Sequence, residues 1–155
     1  MTRETIQERA MLGLNARFSV SVDGIGLGNW SSCKGIGVQF EHEEVESGGN
    51  YEHVVLLPKR LKYGTVTLQR AMSLEDSAKV QAWLRQVTSC WYSSDTATGY
   101  EGSSAVIELR DAHGQRVASW TLRNVYPRNW KGPDLDADNT KVSLETLELA
   151  HQGFL

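Results

Sequence analysis

The side chains of this chain best suited to chemistry are His42, His53, His113 and His151, the thiols of Cys33 and Cys90, and the run Asp134, Asp136, Asp138. A metal centre needs His or Cys repeated at ligand spacing, and these histidines fall in separate segments with no second ligand beside them. A serine nucleophile needs an elbow such as GxSxG, and a cysteine nucleophile a recognisable His partner, and neither setting occurs. The aspartate run resembles a calcium loop but has Asn139 where such a loop carries its sixth-position glycine. The segment Ile25 to Trp30, IGLGNW, is not GxGxxG and reads as a glycine-rich connection, so no phosphate cradle is expected. Trp30, Trp83, Trp91, Trp120 and Trp130 are spread over strands, helix and loops, which suits core or interface anchors better than a sugar platform. The cysteines are read as reduced, half-buried small residues. No catalytic residue, cofactor or metal ligand is assigned, and an enzyme is not expected.

The chemistry left is that of association. Glu41 to Arg70 reads as a long hairpin whose arms flank the turn signal Ser47-Gly48-Gly49-Asn50, where glycine supplies the positive φ of a tight reversal. Its outgoing arm is acidic. Its returning arm carries the unbroken apolar run Val54-Val55-Leu56-Leu57, and because strand side chains alternate, both faces of that strand call for burial. A chain of 155 residues can hardly cover both. A second copy could, by pairing with an edge that would otherwise invite aggregation. The hairpin therefore points to an obligate assembly.

The remaining elements form the body that carries the hairpin. Phe18, Val20 and Val22 alternate with polar residues in a half-buried strand closed by Asp23-Gly24, and Ile36, Val38 and Phe40 share a face of a second strand. Val66 and Leu68 mark another. Ser73 is placed to cap a helix over Leu74 to Ser89, with Glu75 and Asp76 suiting its dipole and Val80, Trp83, Leu84, Val87 and Trp91 on its buried face. Ser93 to Ser104 reads as a polar loop. Val106 to Arg110 and Arg116 to Val125 form a hairpin around Asp111-Ala112-His113-Gly114, a type I turn, and Pro127 should end it. Asn129 to Asn139 reads as loop, and Val142 to Ala150 as a final strand that becomes buried on both faces. These elements predict a mainly β chain, a barrel of about seven or eight strands with one flanking helix, in a single domain over 1–155 with an N-terminal arm at 1–16 and a protruding hairpin at 41–63. With 16 basic and 19 acidic residues, net charge -3, and no basic stripe, nucleic-acid binding is not indicated. No apolar segment approaches the roughly 20 residues of a membrane span, and no secretion signal stands at the N-terminus, so synthesis and retention in the cytoplasm are expected.

The segments FSVSVDGIGLGNWSSCKGIGV, EVESGGN, LPKRLKYGTVTLQR, SWTLRNVYPRNWKGPDLDA and VSLETLELAHQGF, with a helix containing AWL between them, occur in an order and spacing that resembles the tail tube proteins of contractile phages and related injection systems. The resemblance runs from Arg17 to Phe154. It implies an Hcp-like β-barrel whose hexameric rings stack into a hollow inner tube within a contractile sheath, capped by baseplate and spike at one end and a tube-terminating protein at the other, with cargo in the lumen. It places the hairpin between neighbouring subunits and rings, so Glu43, Glu44, Glu46, Gly48, Gly49, Asn50, Tyr51, Val54 and Leu56 are candidate contact residues. Lys59, Arg60 or Lys62 of another copy would answer the acids. The sheath is expected to touch the helix face of Glu75, Asp76, Lys79 and Arg85, which has no evident partner within the chain. In the producing cell the protein would be cytoplasmic, and then part of a tail or injection particle. Two alternatives are a secreted Hcp ring of a type VI system and a monomeric barrel with a ligand in its interior.

Overall fold

Asp23 (φ 49°) and Gly24 (φ 78°) reverse the chain between β1 (Arg17–Val22) and β2 (Ile25–Trp30), with the two positive φ angles that match the twist of paired strands. The computed structural model describes residues 16–49, 51–92, 102–133, 138 and 143–155. Beyond β2 come β3 (Ser32–Lys34), β4 (Val38–Val45), β5 (Val55–Tyr63), β6 (Val66–Ala71), α1 (Leu74–Tyr92), β7 (Ser103–Arg110), β8 (Arg116–Lys131) and β9 (Leu144–Ala150).

A seven-stranded antiparallel sheet runs in the order β2-β1-β7-β8-β9-β6-β3. Its two end strands, β2 and β3, are consecutive in the chain. Only Ser31 lies between them, and its backbone N–H and hydroxyl both donate to the Gln69 carbonyl, at 3.0 and 2.8 Å. The chain thus runs from one end strand directly into the other, which brings the two ends of the sheet together as in a barrel. β4 and β5 lie outside this circuit as a two-stranded ribbon. Inward residues alternate as the period of two requires: Val20 and Val22, Val66 and Leu68, Ala105 and Ile107, Leu147 and Leu149 are all buried, and Val80, Trp83 and Val87 of α1 join them.

The glycine-rich connection of the sequence reading is the strand β2. Leu27 and Trp30 are buried in it, and a Cβ on Gly28 (φ 87°) would come within 2.8 Å of Arg70 and Asp76. Close packing, not flexibility, requires glycine there. Pro127 does not end β8, which continues to Lys131 and so takes Asn129 to Lys131 out of the expected loop. A register shift between Pro127 and Asn129 absorbs the proline beside β9. In β9 only the face of Glu145, Leu147 and Leu149 is fully buried, while Leu144 is exposed and Thr146 and Glu148 half-buried, so the strand is not covered on both sides. Val142 lies outside the described residues. The Asp111 turn forms as expected, with Gly114 N–H donating to the Asp111 carbonyl at 3.0 Å and the Asp111 carboxylate receiving the backbone N–H groups of His113 and Gln115. Helix α1 begins where the Ser73 carbonyl accepts from Ser77 N–H, but Trp91 is half exposed beyond the core. Cys90 is exposed rather than half-buried. Cys33 is half-buried, and burial pushes its thiol up to about 11, so it stays protonated and unreactive at neutral pH.

Candidate assembly surface

The β4–β5 ribbon is built from complementary halves. Val45 pairs with Val55, Glu43 with Leu57, Glu44 with Leu56 and His42 with Pro58, then after an irregularity Phe40 pairs with Leu61 and Val38 with Tyr63. Directly paired residues share a face, so Phe40, Leu56 and Leu61 lie on one side and Val45, Val55 and Leu57 on the other. Phe40 is 66% exposed, Leu56 56% and Leu57 47%. Both faces of the ribbon are apolar and open to solvent, as the sequence led us to expect. The face shared by Ile36, Val38 and Phe40 is not a core face, since Phe40 points away from the barrel.

The tip differs from the sequence reading. Pairing stops at Val45 and Val55, so residues 46–54 form a broad loop instead of a tight reversal on Gly48-Gly49. Gly49 has φ 85°, Tyr51 is almost wholly exposed, and Val54 is exposed beside it. Asn50 lies outside the described residues. The charges also distribute differently: Lys59 Nζ lies 3.6 Å from Glu43 and Lys62 Nζ 2.5 Å from Glu41 within one chain. The Lys62 hydrogen bond holds the Glu41 carboxyl below its ordinary 4.5. Lys59 and Lys62 are therefore engaged in their own hairpin. Glu44, Glu46 and Arg60 are exposed and free of ion pairs among the described residues.

On α1, Glu75, Asp76, Lys79 and Arg85 lie on the outer part of the helix, but the face is not without internal partners. Lys79 Nζ stands 3.8 Å from Glu75 and 3.5 Å from Asp76. Exposed helix pairs of this kind contribute only tenths of a kcal/mol, about 0.3 to 0.5.

Sequence reasoning missed the polar knot that fixes this helix to the barrel. Arg70 Nε donates to Glu145 Oε2 at 2.9 Å with both side chains buried, Ser77 Oγ donates to the same oxygen at 3.0 Å, and Trp130 Nε1 donates to Glu145 Oε1 at 3.0 Å. Arg70 Nη1 donates to the Leu27 carbonyl at 2.6 Å, and its guanidinium lies 3.9 Å over the Trp30 ring. The knot ties β2, β6, β8, β9 and α1 together. Its signal in the sequence was Glu145 on the same strand face as Leu147 and Leu149. Counted from Asp134, Glu145 also stands at the twelfth position of the calcium-loop pattern, yet its carboxylate is fully engaged by these protein donors.

The family of the chain follows from one comparison. A family model described as "T4-like virus tail tube protein gp19" matches residues 14–155. The chain belongs to this tail tube family. The fold agrees with it: a chain of the anti-feeding prophage (AFP) baseplate, 6-fold symmetrised, is 21% identical with a TM-score of 0.61, covering 90% of this chain and 89% of that one. A chain of the PVC sheath-tube complex in the extended state, from an extracellular contractile injection system, is 18% identical with a TM-score of 0.67, covering 88% and 85%. A chain of the PVC sheath/tube terminator in the extended state is 18% identical at 0.66, covering 88% and 90%. No curated protein matches the chain. A tail tube protein works as a structural component, and the prominent surface of this one is an apolar ribbon rather than a cleft.

Proposed function

We propose that this tail tube protein is the subunit of a hollow inner tube: rings of six copies stack within a contractile sheath, and contraction drives the tube into a target envelope. The observation that carries the reading is the ribbon β4–β5, apolar and solvent-exposed on both faces while the barrel that bears it buries its own core. Such a ribbon is covered when the next copy in a ring, and the ring above, pack against it. Each copy then gives one surface and receives another, a contact that closes by rotation within a ring and extends by stacking. Gly48, Gly49, Asn50, Tyr51 and Val54 would lie at the joint between rings. The sheath would grip the helix face of Glu75, Asp76, Lys79 and Arg85 through exposed charges, which hold without locking and so permit sliding. Baseplate, spike and terminating proteins would meet the two ends of the tube, and cargo its lumen. Assembly would take place in the cytoplasm of the producing cell. None of these steps needs turnover or a cofactor.

Light scattering coupled to size-exclusion chromatography tests the ring. The expected mass is that of a hexamer or larger, growing with concentration. A compact monomer at tens of micromolar would refute it.

A further inference from the structure

Glu44 and Glu46 are exposed without an ion pair among the described residues, and of the three bases expected to answer them Lys59 and Lys62 are paired within their own hairpin, which leaves Arg60. The structure also shows an unusual basic row at one end of the barrel. Arg17 pairs directly with Arg110 across β1 and β7, and Arg110 with Arg116 across β7 and β8, so three guanidiniums stand side by side on one face. Like charges in directly opposed positions repel and destabilise a sheet. Glu108 is their anionic neighbour, at 2.5 Å from Arg110 and 3.6 Å from Arg116, and among the described residues it makes no ion pair with Arg17. Asp111 stands nearby, but its carboxylate is occupied by the backbone N–H groups of the turn.

Beside this row opens a cavity of about 800 Å³, lined by Arg17, Arg110, Asn29, Ser31, Trp30 and Arg70 among others. The last two are buried, with 1% and 3% of their surface exposed, and among the described residues neither Trp30 Nε1 nor Arg70 Nη2 has a hydrogen-bond acceptor. Buried donors without acceptors are costly, so a cavity with two of them in its wall, Arg17 and Arg110 in its lining and Arg116 paired beside Arg110 is suited to an incoming oxyanion.

We infer that this cavity and the arginine row receive the acidic arm of the hairpin of a second copy, through Glu44 and Glu46. The inference deepens the tube reading and rests on it. Charge complementarity selects this occupant: from Glu41 to Glu52 the hairpin carries Glu41, Glu43, Glu44, Glu46 and Glu52 with no Lys or Arg among them. The sequence before Ala16 balances Glu4 and Glu8 against Arg3 and Arg9, so its side chains offer no net charge. Among the described residues the Arg17 and Arg116 side chains make no hydrogen bond within the barrel, and both are exposed, so their charge can be reversed without opening the sheet.

The test is a charge exchange read by light scattering and electron microscopy, with circular dichroism and thermal melting to confirm that each variant folds like the parent. Arg17→Glu with Arg116→Glu should raise the concentration for half assembly roughly tenfold or more, as should Glu44→Arg with Glu46→Arg. The chain carrying all four changes should assemble close to the parent level. Assembly of the arginine variant at the parent concentration, or failure of the fourfold variant to recover, overturns the pairing and leaves the ring intact as a reading. Recovery by Glu4→Arg with Glu8→Arg instead would give the cavity to the arm and also overturns it. A parent chain that forms no rings defeats the tube reading itself.

Discussion

Glu145 shows how one side chain can hold a barrel end and a helix together. Its carboxylate is completely buried and receives Arg70, Ser77 and Trp130, so all its charge is answered by protein donors. Such a pair adds little beyond what well-packed apolar residues would give, but removing one partner strands the other. Glu145→Ala should therefore cost about 3 to 5 kcal/mol in urea unfolding, through the uncompensated Arg70 guanidinium. Loss below about 1 kcal/mol would mean that water enters and solvates Arg70. His151 makes a different prediction. Burial between Tyr63 and Phe154 pushes its imidazole below the ordinary 6.5, an effect that the backbone hydrogen bonds of Gly64 and Gly153 only partly offset. As pH falls the unfolded chain takes up this proton first. The stability is thus whole above about pH 6.5 and declines as the pH drops from there through the lower folded value. Denaturation midpoints measured from about pH 7 to about pH 5 should fall less steeply for His151→Phe than for the parent. Equal slopes would remove His151 from the account.

Among the elements, β4–β5 separates assembly from folding. Gly48, Gly49 and Tyr51 are exposed, so deleting Gly48 to Tyr51 takes nothing from the buried core. The melting temperature should stay within a few degrees of the parent, while rings or their stacking are lost. Normal tubes from the shortened chain would move the joint elsewhere. Helix α1 carries the sheath proposal: Glu75→Lys with Arg85→Glu should leave tubes intact and reduce the number of sheathed particles on co-expression, more so at low salt where charges are least screened. Undiminished sheathing would place the grip on another face. How far the elements were legible follows from what makes each of them. The alternation of Val20, Val22, Val66 and Leu68 and the spacing of Val80, Trp83 and Val87 report burial directly, and these elements lie where the sequence put them. Segment 25–30 misled because Gly28 serves close packing against Arg70 and Asp76, which only the folded sheet and helix bring near. Pro127 misled because a bulge can absorb a proline, and no local signal announces the bulge.

At the scale of the whole molecule, a barrel and an uncovered ribbon have opposite requirements. The barrel brings its end strands together and buries its own core, aliphatic side chains around Trp30 and Trp83. The ribbon leaves Phe40, Leu56, Leu57 and Leu61 in water, a liability that survives only if the protein spends its working life covered. That contrast was readable from the apolar run Val54 to Leu57. The proposed partner surface was not, because Arg17 of β1 is far in sequence from Arg110 and Arg116 of the β7–β8 hairpin and meets them only in the folded register. A ribbon of this kind should make the chain a tube. Negative-stain electron microscopy of the purified protein at high concentration tests it most directly. Six-membered rings with an open centre, stacking into tubes of constant diameter, are the predicted result, and a uniform field of single compact particles would contradict it.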